Sequence, residues 1–583
     1  MDSGHTSTDQ GIVDDLRRAG LERGGFLALV IAPNIGLAVA LRDGTSISTS
    51  RADAEAVIRH LEAELRPRWV LWGRETMLLV RAGVRVAKSW NIAAVHRLLN
   101  GGWRADPPRV WAAVQDLDLD RLPVTAPVDL FNQPSEVSEA DEPLRADGYL
   151  KPEWPADDFE WTVARLSRWA QLAAEVAVLQ EARLLDLHDR PRALSTARSE
   201  SAAELLCAEL SVDGLPMHRS AAEEIIAGFV GPRPQTEAEA VEQRSARDAE
   251  VLHHSSNAAY DLRNPAQVKS LLRGIGVELP DTRAWRLEAI RGTHPLIDAL
   301  LEWRKAERIA TTFGYGWLDQ HLGADGRLRG EWSGCDGATG RMTASAGLHN
   351  MPANLRSAVI ADPGHVFVHA DLGQIEPRIL AAVSGDAALA AATADTDLYL
   401  PVATQLGVDR ATAKVAVLGA MYGQTTGHGA VALRGLESAY PVAMRYLTEA
   451  DLAGQVGRDV RTHGGRLIRT GSTAGSELGE RDSRSRAAAQ GRYARNAMVQ
   501  GAAAEFFKVW AVTVRSRADA FDARIVLCLH DELLVHAPLE RSAAVVELVA
   551  DCLQEAARQW APNDAVRFVA DVTVIHRWSD AKP

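Results

Sequence analysis

Cysteine is scarce: the 583 residues hold only Cys207, Cys335, Cys528 and Cys552. They are scattered and form no C-x-x-C pair. That excludes a disulfide framework and a thiolate zinc site, and it predicts reduced thiols in a cytoplasm. Long apolar runs are also missing. The longest near the N-terminus, Leu27 to Leu41, is broken by Pro33, Asn34 and Gly36 and is too short to span a bilayer. The start, Met1-Asp2-Ser3-Gly4-His5, lacks the basic segment of a secretion signal. No internal repeat and no long low-complexity tract occurs. Positive charge is in deficit, 64 Lys and Arg against 77 Asp and Glu, for a net charge of −13. A deficit of cations argues mildly against a nucleic-acid partner, but net charge is an average and binding surfaces are local. What remains is an ordinary soluble composition, 46% hydrophobic and 24% charged, in a chain long enough for two or more domains.

Residues 1–122 read as a small α/β unit. Phe26 to Ile31 and Gly36 to Leu41 suit paired strands, Ala52 to Leu65 a helix, and Trp69 to Trp72 a further strand. Residues 123–158 turn acidic and Pro-rich and read as a linker or a long surface connection. Helical patterns dominate residues 159–330. Trp161 to Leu185 is long and amphipathic, and Asn264 precedes Pro265 as an N-cap precedes a first helical proline. Residues 331–583 mix strands and helices. Within them Arg461, Arg466, Arg469, Arg481, Arg484, Arg486, Arg492 and Arg495 form a basic run that fits a solvated loop as well as a binding surface.

Four segments carry candidate chemistry. In Val366-Phe-Val-His-Ala-Asp371-Leu-Gly-Gln374-Ile-Glu376-Pro-Arg378, an apolar strand ends at Asp371 and a helix follows, with Pro377 in its first turn. Asp371 is placed either to hold a hard cation or to cap that helix. In Arg524-Ile-Val-Leu-Cys-Leu-His530-Asp531-Glu532-Leu-Leu-Val, two apolar runs flank three polar residues, the pattern of a β-hairpin with its acids at the tip. Adjacent acids between buried strands repel each other, and a divalent cation would relieve that cost. Arg410, Lys414, Leu418 and Tyr422 recur every four residues and stack along one stripe of a helix. Cations, then an apolar residue, then an aromatic match the phosphate, sugar and base of a nucleoside triphosphate, although an amphipathic helix with exposed cations has the same pattern. Arg492, Asn496 and Gln500 share a helix face and could donate to minor-groove acceptors, or simply face solvent. Gly334-Cys-Asp-Gly-Ala-Thr-Gly340-Arg341 has the wrong spacing for a P-loop, which excludes that ATPase class.

Taken in order, these segments resemble the polymerase domain of family A DNA polymerases, the bacterial DNA polymerase I type. Ala338-Thr-Gly-Arg-Met resembles the family's T-G-R-L element, the Asp371 segment its D-Y-S-Q-I-E-L-R motif, the Arg410 helix its R-x-x-x-K-x-x-x-[FY]-x-x-x-Y-G motif, and His530-Asp531-Glu532 its H-D-E motif. The resemblance runs from about Ser199 to the C-terminus. It implies an α+β right hand of palm, fingers and thumb, with thumb and helical connection in 159–330 and the active site in 331–583. It implies primer-template DNA and deoxynucleoside triphosphates as partners and two Mg²⁺ ions, with Mn²⁺ a possible substitute, held by Asp371, Asp531 and the Leu372 carbonyl. Such ions stand about 3.5–4 Å apart. By the same resemblance Glu532 supports the site, Arg410 and Lys414 contact the triphosphate, and Gln374 and Leu418 line the nucleotide. Tyr422 packs by the nascent pair, Glu376 excludes a ribose 2′-hydroxyl, and Arg341, Arg492, Asn496, Gln500 and His530 follow the DNA.

The chain also departs from the family. Leu418 stands where an aromatic ring is usual, which predicts altered sugar discrimination. Tyr399 stands where the family has a His for the triphosphate and cannot carry its charge. The N-terminal unit fits the position of a 3′–5′ exonuclease, but Leu27-Ala-Leu-Val-Ile-Ala-Pro-Asn has no D-x-E pair, and the segment after Trp72 lacks the expected Asp. A degenerate, proofreading-dead domain is expected, with no 5′-nuclease domain, in a monomer without membrane association, active in repair or gap filling. The competing readings are a non-catalytic DNA-binding protein on a decayed polymerase fold and a nuclease using the same acids.

Overall fold

The structure is a computed structural model describing residues 9–50, 54–123, 142–156, 159–255, 260–423, 429–471, 480–561 and 563–581. The chain divides into two compact units, the first from residues 1–212, 331–343 and 368–574, the second from 213–330, 344–367 and 575–583.

In the first unit, a five-stranded sheet forms from the N-terminal segment in the order Ser46–Thr49, Gly36–Ala40, Phe26–Ala32, Arg68–Leu71, Ser89–Asn91. The first three strands are antiparallel and the last two run parallel to Phe26–Ala32. Period-two alternation assigns the two faces. Leu27, Leu29, Leu37, Val39, Trp69 and Leu71 pack on one side with Leu61 and Ile58 of helix Ala54–Leu65. Ala28, Val30, Ala38, Ala40 and Val70 pack on the other with Leu166, Trp169 and Ala170 of helix Val163–Leu185. Three alanines among those five strand residues let that helix lie close. Gly36, at φ 145°, is required: a Cβ there would stand 2.0 Å from the Thr49 carbonyl oxygen. The strands and helices of this segment fall where the sequence pattern places them; residues 51–53, at the start of the expected Ala52 helix, lie outside the described residues. Of the acidic Pro-rich segment, 124–141 and 157–158 also lie outside them. Its described part is anchored, with Leu150 and Trp154 buried in the core.

A second sheet in this unit has the order Arg524–Leu529, Glu532–Pro538, His365–Leu372, Ala570–Ile575. Leu527, Leu529, Leu533, Val535, Val368 and Ala370 are all buried, as expected of strands covered on both faces. The 39-residue helix Glu480–Ala518 packs against the Arg524 strand and buries Phe506 and Trp510 completely.

The basic run is not one solvated face. Arg466 is 1% exposed, its Nη2 2.6 Å from Glu200 Oε2, which also accepts from Lys508 Nζ at 2.7 Å. Arg461 and Arg469 donate to the carbonyls of Leu99 and Asn100, and Arg495 to that of Ala420. Arg484, Arg486 and Arg492 are exposed on the long helix, while the Arg481 side chain and residues 472–479 lie outside the described residues. Four of these guanidiniums thus have protein partners, three of them backbone carbonyls and one a buried carboxylate.

The second unit is mainly helical. Helices Arg219–Val230, Glu237–Leu252, Pro265–Gly274 and Pro295–Thr312 enclose a core of Leu271, Leu272, Leu296, Ile297, Leu300 and Leu301. The Asn264 side chain accepts from the backbone of Ala266 and Gln267, capping the helix that Pro265 starts. Among the described residues no helix is long and apolar enough to cross a membrane.

Candidate active site

The site lies in the first unit, where the central strands of the second sheet end. Leu529 pairs with Glu532, so His530 and Asp531 form a two-residue hairpin turn. His530 sits at φ 51°. A primed turn needs that backbone, and a residue other than glycine there carries a steric cost of about 1 kcal/mol or more. Such strain fits a site that must aim a side chain rather than merely reverse the chain. The backbone N–H of Leu372 donates to the Asp531 carbonyl at 3.0 Å, which ties the tip to the neighbouring strand beside Asp371.

The acids feel one another. Burial and the nearby Asp371 push the Asp531 carboxyl up to about 7, with Glu532 and Glu376 adding to it. Burial and Glu532 raise Asp371 as well, with Asp571 contributing. Asp371 is exposed and does not cap the next helix: Gln374, at φ 51°, takes the N-cap position of Ile375–Ser384. The capping alternative for Asp371 is therefore wrong. Glu532 Oε1 accepts from His369 Nε2 at 2.9 Å, and His369 is 5% exposed. His369 lies two residues before Asp371 and so on the same face of its strand. That spacing was the one sequence signal for it, since its partner is 163 residues away.

A second group surrounds the first helical turn. Tyr422 Oη donates to Glu376 Oε2 at 3.0 Å. Burial raises the Glu376 carboxyl, and Arg341 opposes that rise. Burial and Glu376 push the Tyr422 phenol up to about 12. Gln374 accepts from the Leu398 backbone at 2.8 Å and donates to Asp397 at 3.2 Å. Arg410 Nε donates to Asp397 Oδ2 at 2.5 Å, and its guanidinium lies 5.8 Å from the centre of the Tyr399 ring. Tyr399 is buried beneath that guanidinium rather than open to solvent, and burial pushes its phenol up to about 12. Arg378 is fully buried and donates to the carbonyls of Gly373, Thr393, Asp395, Thr396 and Arg567 at 2.5–3.0 Å. Nothing in the spacing of the sequence marks Asp397 or the five carbonyls: Asp397 and three of the carbonyls depend on the path of the 393–397 loop, and the Arg567 carbonyl comes from a segment 189 residues away.

Helix Arg410–Tyr422 begins at Asp409, whose side chain accepts from Thr412 N at 2.9 Å. Arg410 and Lys414 are exposed on it, and Leu418 is half-buried. The long helix packs against it and carries Arg492, Asn496 and Gln500 at four-residue steps. Arg492 is exposed, while Asn496 holds a buried Oδ1 without a hydrogen-bond partner. Arg341 is exposed at the start of strand Arg341–Ala344. The structure thus brings Asp371, Asp531, Glu532, Glu376, Tyr422 and Arg341 into one electrostatic neighbourhood, and Gln374, Tyr399 and Arg410 into a second around Asp397.

The sequence profile of DNA polymerase family A matches residues 235–580, more than half of the chain. The chain belongs to DNA polymerase family A. It is 26% identical over 370 residues to DNA polymerase I of Deinococcus radiodurans, covering 57% of this chain and 37% of that protein. It is 30% identical over 303 residues to the thermostable DNA polymerase I of Thermus aquaticus, covering 47% of this chain and 36% of that protein. The chain therefore spans well under half the length of these relatives. The polymerase domain of Pol1 from M. smegmatis, solved with DNA primer-template and dNTP, superposes with a TM-score of 0.69 over 100% of this chain and 99% of that one, at 21% identity. That likeness fixes the family A polymerase fold.

Family A polymerases use divalent metal ions, and the donor set here suits hard cations. Among the described residues no group of three acidic, His or Cys side chains forms a ready-made metal cage. Asp371 and Asp531 are nevertheless both raised by burial and by neighbouring carboxylates, and such a group is short of positive charge. Mg²⁺ is commonly held by one or two carboxylates, with substrate phosphates and water supplying the remaining oxygens.

Proposed function

We propose that this chain is a template-directed DNA polymerase that adds deoxynucleotides to a primer 3′ end. The observation that carries the reading is the placement of Asp371 beside Asp531: the Leu372 N–H to Asp531 carbonyl bond ties their strand ends together, and burial with Asp371 raises the Asp531 carboxyl, a cost that cations would relieve. When bound, two Mg²⁺ ions, or Mn²⁺ in their place, would lower the pKa of the primer 3′-hydroxyl and offset charge on the phosphoryl group in transfer. Asp371, Asp531 and the Leu372 carbonyl would hold them, with Glu532 oriented behind by His369.

The other residues position and select. Arg410 and Lys414 bind the triphosphate. For Arg410 this means exchanging Asp397 for phosphate oxygens, so Asp397 parks the guanidinium until a nucleotide arrives. Gln374 and Tyr399 support that exchange from below. Leu418 and Tyr422 cover the sugar and base. Glu376, fixed by the Tyr422 hydroxyl, stands against a ribose 2′-hydroxyl. Arg341, Arg492, Asn496, Gln500 and His530 follow the primer-template, and the unpartnered Asn496 amide oxygen fits a role completed by DNA. Positioning and electrostatics supply most of the catalysis in such a reaction.

The N-terminal sheet, with three antiparallel and two parallel strands and no acidic pair at the end of Phe26–Ala32, supports a degenerate exonuclease-like domain without proofreading. We place this activity in DNA repair or gap filling, carried out by a cytoplasmic monomer. Primer extension with each deoxynucleotide supplied separately tests the reading. Extension only by the nucleotide complementary to the template supports it. Unselective addition, or primer shortening without nucleotides, would contradict it and favour a nuclease.

A further inference from the structure

The N-terminal segment carries a surface that the polymerase reading does not use. Helix Ile92–Asn100 ends at Gly101 and Gly102, with φ of 69° and 74°, and Trp103 follows. Trp103 is 68% exposed, against 9% or less for the eleven tryptophans in the core. Tryptophan is among the most buried side chains on average, because its area stabilises a core by several kcal/mol, roughly 25 cal/mol per Å². The Arg104 guanidinium lies 5.2 Å from the Trp103 ring centre, within cation–π range.

Two strands of the basic run converge on the same helix end. Val460–Arg461 and Leu467–Ile468 form a small antiparallel pair. Arg461 Nη2 donates to the Leu99 carbonyl at 2.9 Å and Arg469 Nε to the Asn100 carbonyl at 2.8 Å. Gly101 is where the hairpin approaches: a Cβ there would stand 2.7 Å from the Leu467 carbonyl oxygen. Capping of helix carbonyls explains one nitrogen of each guanidinium. It does not explain the remaining donors of Arg469, whose side chain is 55% exposed with Asp459 no nearer than 3.7 Å. Arg109 adds a further cation, opposed by Asp106 at 3.7 Å. His96, buried beneath this surface, registers the local excess of positive charge: burial first, then Arg109, Arg97 and Arg469, push its imidazole down to about 3.

We propose that Trp103, Arg104, Arg469 and Arg109 form a binding surface for single-stranded DNA. An aromatic face stacks on any base, and flanking guanidiniums bind the phosphates on either side, which is the combination that single-strand binders use without sequence preference. Arginine also adds cation–π contact with the stacked base. The proposal rests on the polymerase reading for the identity of the nucleic acid, and gives the catalytically silent N-terminal segment a role in handling unpaired strand.

The test uses the full chain and fluorescence anisotropy with labelled DNA at fixed salt, so that no turnover is needed. Four probes separate the sources of unpaired strand: oligo(dT), blunt duplex, a primer-template with a long 5′ template overhang, and one with an unpaired 3′ primer tail. Trp103→Ala should weaken oligo(dT) binding about tenfold and leave blunt duplex unchanged, while Trp103→Phe should retain most of the affinity. Arg104→Gln should weaken binding less and flatten its salt dependence. Loss on the overhang substrate would assign the surface to template, and loss on the tailed one to primer. Unchanged oligo(dT) affinity in Trp103→Ala, or equal loss on blunt duplex, would overturn the proposal. Because binding is read without catalysis, an inactive chain that still loses oligo(dT) affinity would refute only the polymerase reading.

Discussion

Asp531 is held at a pKa of about 7, against an ordinary value of 3.8, by burial and by Asp371. A carboxyl whose folded pKa is raised favours folding only while it can keep its proton. Its contribution is therefore complete below about pH 4, declines as pH rises toward about 7, and is absent above. Chemical denaturation of the metal-free chain should show a matching fall in stability across that window. Asp531→Asn should remove the fall and stabilise the chain by about 2 kcal/mol at pH 8, a figure discounted from the full shift for partial solvent access. A pH profile identical to that of the unsubstituted chain would contradict the electrostatic account. At Glu376 the prediction concerns selectivity. Glu376→Ala should raise ribonucleotide incorporation relative to deoxynucleotide by about 10- to 100-fold, the range expected when a pocket ceases to reject one small group. Competition between the two nucleotides opposite one template base measures it.

Among the elements, the helix Ile375–Ser384 and the 393–397 loop are joined by Arg378. Five carbonyls around one guanidinium satisfy donors that a lysine, with three, cannot match. Arg378→Lys should cost about 3 kcal/mol in chemical denaturation and loosen Asp397, so that the Km for nucleotide shifts more than binding of DNA. Equal stability of the two proteins would show that the clamp is redundant. This clamp also illustrates what sequence could and could not convey. The Asp371 strand, the His530–Asp531 turn and the Arg410 helix were legible because each sets its residues at a spacing fixed by one local element. Asn264 and Pro265 marked their helix for the same reason. The His369–Glu532 pair and the Arg378 bond to the Arg567 carbonyl join segments far apart in the chain, and the Asp397–Arg410 pair and the other carbonyls around Arg378 depend on the path of a loop, so no local periodicity encodes them. Arg466 was illegible for a related reason: its charge fits an exposed site, and its burial depends on Glu200, 266 residues away in the chain.

Over the whole molecule, the first unit assembles from three stretches of chain: Glu200 of the first pairs in the interior with Arg466 and Lys508 of the third, and Arg466 Nη1 donates to Cys335 Sγ of the second at 3.2 Å. Lys508 is 0% exposed and Glu200 2%. Removing the shared partner of two buried cations leaves both uncompensated, so Glu200→Gln should destabilise the chain by about 3–5 kcal/mol. Pairing Glu200→Gln with Lys508→Met should recover part of that loss, because one of the two stranded cations is then gone, and a double-mutant cycle reads the coupling. The network lies away from the paired carboxylates, and the fraction that folds should keep its turnover per molecule. A whole-molecule prediction also follows for metal: in the proposed site substrate phosphates would complete the coordination, so ion binding and substrate binding should be mutually dependent.

That dependence gives the most direct test. Mn²⁺ binding by the full chain, counted by electron paramagnetic resonance with a chain-terminated primer-template and the matching nucleotide present, should reach two ions and fall to one or none in both Asp371→Asn and Asp531→Asn, with primer extension reduced by at least about a hundredfold in each. Undiminished Mn²⁺ occupancy or undiminished extension in either variant would contradict the claim that these two carboxylates share one catalytic centre.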